Sequence, residues 1–307
     1  MRQFICFTLA WLCLHPLWAL DICSHRGIRG LKPENTLSAF KAGLNYPIDC
    51  IDMDVVLTKD NIPVVYHDLY LNPQTTRDAK GHWVSEKKIA IKDLSFKQLQ
   101  GYNVGKTNPH TAYGRQLRQQ IPEKIARIPS LDATLKFIVQ YEKKPVQIQI
   151  EIKTDPRDKA SADYKTITLA VAQKVHALNL ERRTKIQAFD WRCLTVLKQY
   201  YPRIQRAYLT EANPTPGLDS GVWTDNHLLK DYASIPDMIH QLGGQYWDAE
   251  DTQLTAQNIK RAHDLGLKVC AWTDIEKPHH HHSRLIKTLK HNQIDCLITD
   301  KPWLNLK

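Results

Sequence analysis

Residues 50–67 read CIDMDVVLTKDNIPVVYH, and this segment gives the first evidence of the fold class in a chain of 307 residues. Its apolar first half predicts a buried strand. The polar residues 58–61 predict a turn, and residues 63–66 predict a strand that returns beside the first. Asp52 and Asp54 are two residues apart, so both carboxylates point to the same face of the first strand. The segment therefore predicts a hairpin that carries two carboxylates.

The rest of the chain alternates short apolar runs with longer amphipathic segments, which predicts parallel strands joined by helical crossovers. The predicted strands are residues 22–24, 50–55, 146–152, 185–189, 206–209, 245–247, 268–272 and 296–299. The predicted helices include residues 36–44, 164–178, 191–200, 255–265 and 282–291. Eight such strands fit a closed TIM (β/α)8 barrel. A doubly wound open sheet is the alternative on pattern alone, but no GxGxxG or P-loop motif favours it.

Two segments stand apart from this alternation. Residues 69–129 are long and polar, so we interpret them as an inserted subdomain on the barrel. Residues 1–19 combine a positive start with an apolar stretch that is short for a membrane span, which fits a secretory signal peptide. An uncleaved membrane anchor is the alternative. We therefore expect one barrel domain over residues 20–307, exported to the periplasm or secreted, without a membrane span after processing.

The formal net charge of +10 favours anionic partners, although lysines on solvated helix faces explain it equally well. No nucleic-acid-binding motif is present, so nucleic acid is not an expected partner. The sequence indicates no oligomeric state. Five cysteines lie beyond the predicted signal, an odd number that leaves at least one unpaired within the chain. We expect these five to be buried as small apolar side chains. They are Cys23, Cys50, Cys193, Cys270 and Cys296.

Polar side chains are concentrated at the predicted strand ends, where TIM barrels carry their active sites. They are His25, Arg26, Asp52, Asp54, His67, Glu151, Lys153, Trp272 and Asp300. Asp52, Asp54 and Glu151 offer oxygen ligands that suit Mg²⁺ or Ca²⁺ rather than zinc. Three close carboxylates would also repel one another without a cation. These residues therefore predict a divalent cation site.

Basic side chains and histidines complete the predicted site. Arg26 and Lys153 supply positive charge for a phosphate. His25 and His67 can share general acid and base work because imidazole titrates near neutrality. If the hairpin turn centres on its Asp-Asn pair, antiparallel pairing places His67 opposite Asp54. A cation site, two basic side chains and two imidazoles together predict phosphodiester cleavage.

A series of motifs in this chain resembles the glycerophosphodiester phosphodiesterase family. The most specific is the opening pair, SHRG at 24–27 with KPENT at 32–36. The later motifs are DMDV at 52–55, LTKD at 57–60, VVYHD at 64–68, IPSL at 128–131, EIK at 151–153, AWT at 271–273 and ITDKP at 298–302. The resemblance covers nearly the whole chain beyond the predicted signal.

The resemblance implies a TIM barrel with a subdomain inserted after the hairpin. It implies hydrolysis of glycerophosphodiesters to sn-glycerol 3-phosphate and an alcohol, with a divalent cation such as Ca²⁺ or Mg²⁺. It implies that His25 and His67 are the acid/base pair. The other implied roles are substrate or phosphate binding for Arg26, Lys153 and Trp272, and metal binding for Asp52, Asp54 and Glu151, with Glu34 as a further candidate ligand. Position 52 departs from the family, which usually has Glu there.

Other interpretations remain open at this stage. A related barrel could act on lysophospholipid or sphingolipid headgroups, which would require an apolar rim at its mouth. A barrel used only for binding is a different class of function. Such a barrel is expected to lose a histidine or a carboxylate of the site, and this chain keeps them all. Trp272 could also be a core residue, and Glu34 could instead stabilise the N-terminus of the helix that follows it.

Overall fold

The computed structural model describes residues 20–85, 88–212, 217–273 and 291–305. Eight parallel strands close into a barrel in the order β1, β2, β4, β5, β6, β7, β8, β9, and β9 pairs with β1. The strands are β1 Asp21–Ser24, β2 Cys50–Leu57, β3 Pro63–Val65, β4 Gln147–Ile152, β5 Thr184–Ala188, β6 Gln205–Thr210, β7 Tyr246–Glu250, β8 Lys268–Trp272 and β9 Cys296–Thr299. The predicted TIM barrel is confirmed.

The described helices follow the strands and begin at polar capping residues. They are α1 Leu37–Gly43, α2 Phe96–Leu99, α3 Ala112–Gln116, α4 Leu131–Tyr141, α5 Tyr164–Ala177, α6 Trp191–Tyr200, α7 Ile235–Leu242 and α8 Ala256–Asp264. Asp163, for example, accepts a hydrogen bond from the Thr166 N–H at the start of α5. Within the described ranges no helix combines the length and apolarity of a membrane span. The predicted signal and most of the predicted helix 282–291 lie outside the described residues.

The alternation of side chains along each strand divides the core into two parts. On β2, Ile51 and Met53 belong to the large apolar cluster between the strands and the helices. Asp52 and Asp54 alternate with them and are also buried. The carboxylates therefore face the barrel interior because their apolar neighbours face the helices.

The disulfide Cys23–Cys50 was not expected from the sequence. The two residues are register partners on β1 and β2, with Cα atoms 4.2 Å apart. Cys193, Cys270 and Cys296 are buried and free, as expected. Cys23 and Cys50 are buried as expected, and neighbouring strands also bring them within disulfide range although 27 residues separate them in the sequence.

The register of the hairpin differs by one residue from the prediction. The observed pairs are Val55 with Val65, Val56 with Val64 and Leu57 with Pro63. Asp54 therefore lies opposite Tyr66, whose N–H donates to the Asp54 carbonyl at 3.0 Å. The prediction that Asp54 opposes His67 was wrong. The connecting loop has an odd number of residues, and the Thr58 hydroxyl closes it by accepting from the Ile62 N–H at 2.9 Å.

The segment 69–129 packs on the hairpin, and the two share an apolar cluster separate from the main core. The cluster contains Val56, Val64, Tyr66, Leu71, Val84, Ile91, Leu99, Val104 and Ile128. Helices α2 and α3 lie within this segment. From α3, the Tyr113 hydroxyl donates to the carboxylate of Glu34, which belongs to the loop after β1. The segment is thus joined to the barrel both by packing and by a contact at the barrel mouth.

Candidate active site

The predicted strand-end residues meet at the carboxyl end of the barrel. One cavity of about 340 Å³ is lined by residues at or just after the carboxyl ends of β1, β3, β4 and β8. They include His25, Arg26, His67, Glu151, Lys153 and Trp272. Six of the residues predicted from strand ends therefore share one cavity, and Asp52 and Asp54 lie beneath it on β2.

His25 is held by hydrogen bonds on both ring nitrogens. Its Nδ1 lies 2.8 Å from Asp300 Oδ1, and its Nε2 accepts from Arg26 Nε at 3.2 Å. Burial lowers the pKa of His25 to about 4, and the positive charge of Arg29 contributes. The ring is therefore neutral at pH 7, with its proton on Nδ1 and a lone pair on Nε2.

His67 lies just beyond the end of β3 and pairs with its neighbour in the sequence. Its Nδ1 is 2.9 Å from Asp68 Oδ1, and Asn72 Nδ2 donates to the other oxygen of Asp68 at 2.7 Å. Burial alone would raise the pKa of Asp68, but the charge and hydrogen bond of His67 hold it at about 2. Asp68 is therefore ionised and orients the imidazole.

Arg26 links the loop after β1 to the carboxylates. Its backbone has a positive φ of 49°, and its N–H donates to Asp52 Oδ2 at 3.2 Å. Its Nη1 donates to Glu34 Oε1 at 2.8 Å, and its Nε is 3.1 Å from Asp54 Oδ2. Glu34 is thus paired with Arg26 and with the insertion residue Tyr113. Two carboxylates therefore hold the guanidinium, and a third accepts from the backbone N–H of the same residue.

The three predicted metal ligands differ in their hydrogen-bond partners. Asp52 Oδ1 accepts from Gln187 Nε2 at 2.9 Å. Asp54 Oδ2 accepts from Asn35 Nδ2 at 2.8 Å, whereas its buried Oδ1 has no hydrogen-bond partner and lies 3.8 Å from the Lys153 ammonium group. Glu151 Oε1 accepts from Lys153 Nζ at 2.6 Å. One carboxylate oxygen at the centre of the group is therefore available to a further ligand.

The electrostatics of these carboxylates fit a hard cation. Burial raises the pKa of Asp52 and of Glu151, and the negative charge of Asp54 adds to this. Burial alone would raise the pKa of Asp54, but Arg26, His67 and Lys153 lower it. Among the described residues, no three acidic, histidine or cysteine side chains are already grouped closely enough to hold a metal ion. Arg26 and Lys153 act as counter-ions, and the all-oxygen donor set, in which Asp54 Oδ1 has no hydrogen-bond partner, suits Mg²⁺ or Ca²⁺.

The sequence alone indicated no role for several residues that contact the site residues or line the cavity. They are Asn35, Asp68, Gln187, Glu211 and Asp300. Asp300 and Glu211 follow β9 and β6, so their position at strand ends was the available signal. Gln187 lies within a strand, and nothing in the local sequence distinguishes it.

Together these features define a TIM-barrel active site suited to an anionic phosphate ester. The model of the glycerophosphoryl diester phosphodiesterase family matches residues 25–304. YhdW of Bacillus subtilis, named as a glycerophosphodiester phosphodiesterase, is 27% identical over 286 residues, which are 93% of this chain and 96% of YhdW. The chain therefore belongs to the glycerophosphoryl diester phosphodiesterase family, and it is an enzyme.

Solved structures agree with this assignment. A Silicibacter pomeroyi protein described as a glycerophosphoryl diester phosphodiesterase has a TM-score of 0.82 and 29% identity, with coverage of 94% of this chain and 92% of that one. An Oleispira antarctica phosphodiesterase in complex with the product sn-glycerol-3-phosphate has a TM-score of 0.66 and 21% identity, with coverage of 93% and 94%. At that identity the second similarity is evidence for the fold alone.

Proposed function

We propose that this enzyme hydrolyses glycerophosphodiesters to sn-glycerol 3-phosphate and an alcohol with the help of a divalent cation, Mg²⁺ or Ca²⁺. One observation carries the proposal: His25 and His67 line the same cavity as Arg26 and Lys153. A phosphodiester needs positive charge around its phosphate and two proton-transfer groups, one for the attacking and one for the leaving oxygen. This cavity combines both.

Arg26 and Lys153 bind the phosphate oxygens in this proposal. Each is already ion-paired, Arg26 with Glu34 and Lys153 with Glu151, at 2.8 and 2.6 Å respectively. These carboxylates hold the cationic groups in place before the substrate arrives, so little side-chain entropy is lost on binding. Trp272 contributes an aromatic wall to the same cavity.

The two histidines divide the proton transfers. Neutral His25 takes the proton of the attacking hydroxyl on Nε2, while His67, oriented by Asp68, gives a proton to the oxygen of the leaving alcohol. When a glycerol hydroxyl attacks, the alcohol leaves and a cyclic phosphate forms. Water then opens the ring with the two roles reversed, which returns both rings to their starting protonation states.

Asp52, Asp54 and Glu151 would hold the cation. Bound there, a divalent cation would withdraw electron density from the phosphate and stabilise the charge that develops on its oxygens. Asp52 is one methylene shorter than the Glu usual in the family, so we propose that it binds more weakly or through water. The absence of a hydrogen-bond partner for Asp54 Oδ1 and the raised pKa values of Asp52 and Glu151 support this set of ligands.

The test is an assay of sn-glycerol 3-phosphate release from glycerophosphocholine, with chelator and with Mg²⁺ or Ca²⁺ added back. We expect chelator to stop release and one cation to restore it. His25→Ala and His67→Ala should each lower kcat by about 10²–10⁴-fold. His176→Ala on the outer face of α5 is the matched control and should keep full activity, since this ring is 63% exposed.

Two outcomes would contradict the proposal. Full activity of both His25→Ala and His67→Ala would remove the histidines from the chemistry. Faster turnover of lysophosphatidylcholine than of glycerophosphocholine would instead indicate a lysophospholipase D. Both measurements use the same purified enzyme.

We also propose that the enzyme is exported to the periplasm or secreted. The signal-like residues 1–19 support this. The Cys23–Cys50 disulfide supports it as well, because disulfides persist in oxidising compartments. Cell fractionation with thiol labelling tests the idea: the exported protein should start near residue 20, and Cys23 and Cys50 should resist alkylation until a reductant is added. A full-length protein with both thiols reactive would refute it.

A further inference from the structure

The cavity has opposite chemical character on its two sides. His25 and Arg26 follow β1, and Glu211 follows β6. In the barrel order β1, β2, β4, β5, β6, the strands β1 and β6 are four places apart in a ring of eight, so they stand across the mouth from each other. Glu211 lines the same cavity as His25 and Arg26. A ligand that binds Arg26 through its phosphate therefore extends toward a carboxylate.

None of the roles proposed above involves the carboxylate of Glu211. Within the described ranges, no side chain forms a hydrogen bond or ion pair with it, whereas Glu151, the other acidic residue of the cavity, is neutralised by Lys153 at 2.6 Å. Burial and the nearby charge of Glu250 raise the pKa of Glu211 to about 7. A positively charged ligand group at this position would stabilise the ionised carboxylate.

Two aromatic rings line the same cavity. Phe189 follows β5 and Trp272 ends β8, and their rings meet edge to face with centroids 5.9 Å apart at an interplanar angle of 89°. The Trp272 indole is fixed because its Nε1 donates to the Asp248 carbonyl at 3.3 Å. Both rings are half-buried, so part of each ring is accessible to a ligand. Aromatic surfaces next to a carboxylate attract ammonium groups, quaternary ones included.

We propose that Glu211, Phe189 and Trp272 form a subsite for a cationic alcohol group of the diester. This inference rests on the proposed function and specifies its substrate class: diesters whose alcohol carries a quaternary or primary ammonium group. Such a substrate is a zwitterion. Its phosphate binds Arg26 and Lys153, and its ammonium group binds the two rings and the carboxylate of Glu211, which lies across the mouth from Arg26.

The first test compares two substrates in the wild type and in Glu211→Gln, with the activating cation present. Glycerophosphocholine carries a cationic alcohol, and glycerophosphoglycerol carries a neutral one. We expect the wild type to prefer glycerophosphocholine in kcat/KM, and Glu211→Gln to lower this preference by about tenfold, the factor that corresponds to about 1.4 kcal/mol. Asp264→Asn makes the same change of charge on the outer helix α8, where the side chain is 51% exposed, and should keep the preference.

The second test uses two inhibitors of nearly equal shape. Choline and 3,3-dimethylbutan-1-ol differ in that choline has a charged nitrogen where the other has a carbon. We expect choline to inhibit the wild type about tenfold more strongly, and this difference to shrink in Glu211→Gln, where only the aromatic rings still attract the charge. Equal inhibition of the wild type, or an unchanged substrate preference in Glu211→Gln, would overturn the subsite alone. A wild type that hydrolyses neither diester would overturn the proposed function.

Discussion

His25 Nδ1 and Asp300 Oδ1 are 2.8 Å apart although 275 residues separate them along the chain. His25 follows β1 and Asp300 follows β9, and the pairing of these two strands closes the barrel. Arg29 binds the same carboxylate, through Nε at 2.7 Å and Nη2 at 2.8 Å. Barrel closure therefore fixes the orientation and the tautomer of an imidazole in the active site.

Asp300→Asn should lower kcat by about 10²-fold or more, with KM changed less than about threefold. An amide can donate to Nδ1, which favours the tautomer with the proton on Nε2, and this tautomer cannot act as a base there. Initial rates of sn-glycerol 3-phosphate release measure both constants. Asp295→Asn is the matched control, because Asp295 also pairs with a histidine, His263 at 2.9 Å, but precedes β9 rather than following it. An unchanged kcat in Asp300→Asn would mean that this pairing has no part in turnover.

The pH dependence should reflect the lowered pKa of His25, about 4. In the proposed mechanism neutral His25 is the base, so kcat/KM should fall as the pH decreases through about 4 and should not fall near the ordinary imidazole value of about 6.5. Arg29→Gln removes a positive charge that lowers this pKa, so it should shift the acid limb upward. Rate profiles from pH 3.5 to 8 test this, and an acid limb near 6.5 in the wild type would contradict it.

The lowered pKa of His25 also makes the free energy of unfolding depend on pH. Between about pH 6.5 and 4 the unfolded chain protonates this histidine while the folded chain does not. The unfolded state then binds more protons, so this group's contribution to the free energy of unfolding decreases as the pH falls through that window. Urea unfolding at pH 7 and pH 4.5 should show a smaller decrease for His25→Asn than for the wild type.

The strands and the general position of the site were predictable because both depend on local information. The apolar run at 268–272 became β8 with the same bounds, Lys268–Trp272. Buried strands must be apolar on the side that faces the helices, and this requirement leaves a pattern in any short window. Polar residues at the ends of such runs then indicate the mouth of a barrel, which is how His25 and Lys153 were identified.

The hairpin register and the partners of the histidines were not predictable in the same way. Asn61 adopts a positive φ of 55°, and the Thr58 hydroxyl accepts from the Ile62 N–H. These two features stabilise a hairpin loop with an odd number of residues, and the strand register therefore differs by one residue from the prediction. His67 still reaches the cavity because it lies beyond the paired strand. The Cys23–Cys50 and His25–Asp300 contacts depend on which strands are neighbours and in what register, information that no local window contains.

The candidate cation site should be detectable by a change in stability. A cation that binds only the folded state at 100 times its Kd adds about 2.7 kcal/mol to the free energy of unfolding. Mg²⁺ or Ca²⁺ should therefore raise the Tm of the wild type. Asp54→Asn should remove most of this increase, because it replaces the carboxylate whose Oδ1 has no hydrogen-bond partner. Asp60→Asn in the exposed hairpin loop is the control. Equal increases in Tm for the wild type and Asp54→Asn would place the cation elsewhere.

A buried ion pair in the barrel offers a test that is independent of catalysis. Lys185 Nζ lies 3.1 Å from Asp248 Oδ2, and both side chains are fully buried. Lys185→Met would leave the Asp248 carboxylate without its counter-ion, so we expect a loss of about 3–5 kcal/mol in the free energy of unfolding. Urea denaturation measures this loss. Lys260→Met, which breaks an exposed pair with Asp264, should cost less than about 1 kcal/mol.

The double variant Lys185→Met/Asp248→Leu decides what the pair contributes. Removing both charges leaves no unpaired group in the interior, so most of the lost stability should return. The coupling energy from this double-mutant cycle separates the cost of an isolated charge from the attraction between the two charges. A double variant as unstable as Lys185→Met would show that the hydrogen-bonding and packing of these two side chains, rather than their charge balance, stabilise this part of the barrel.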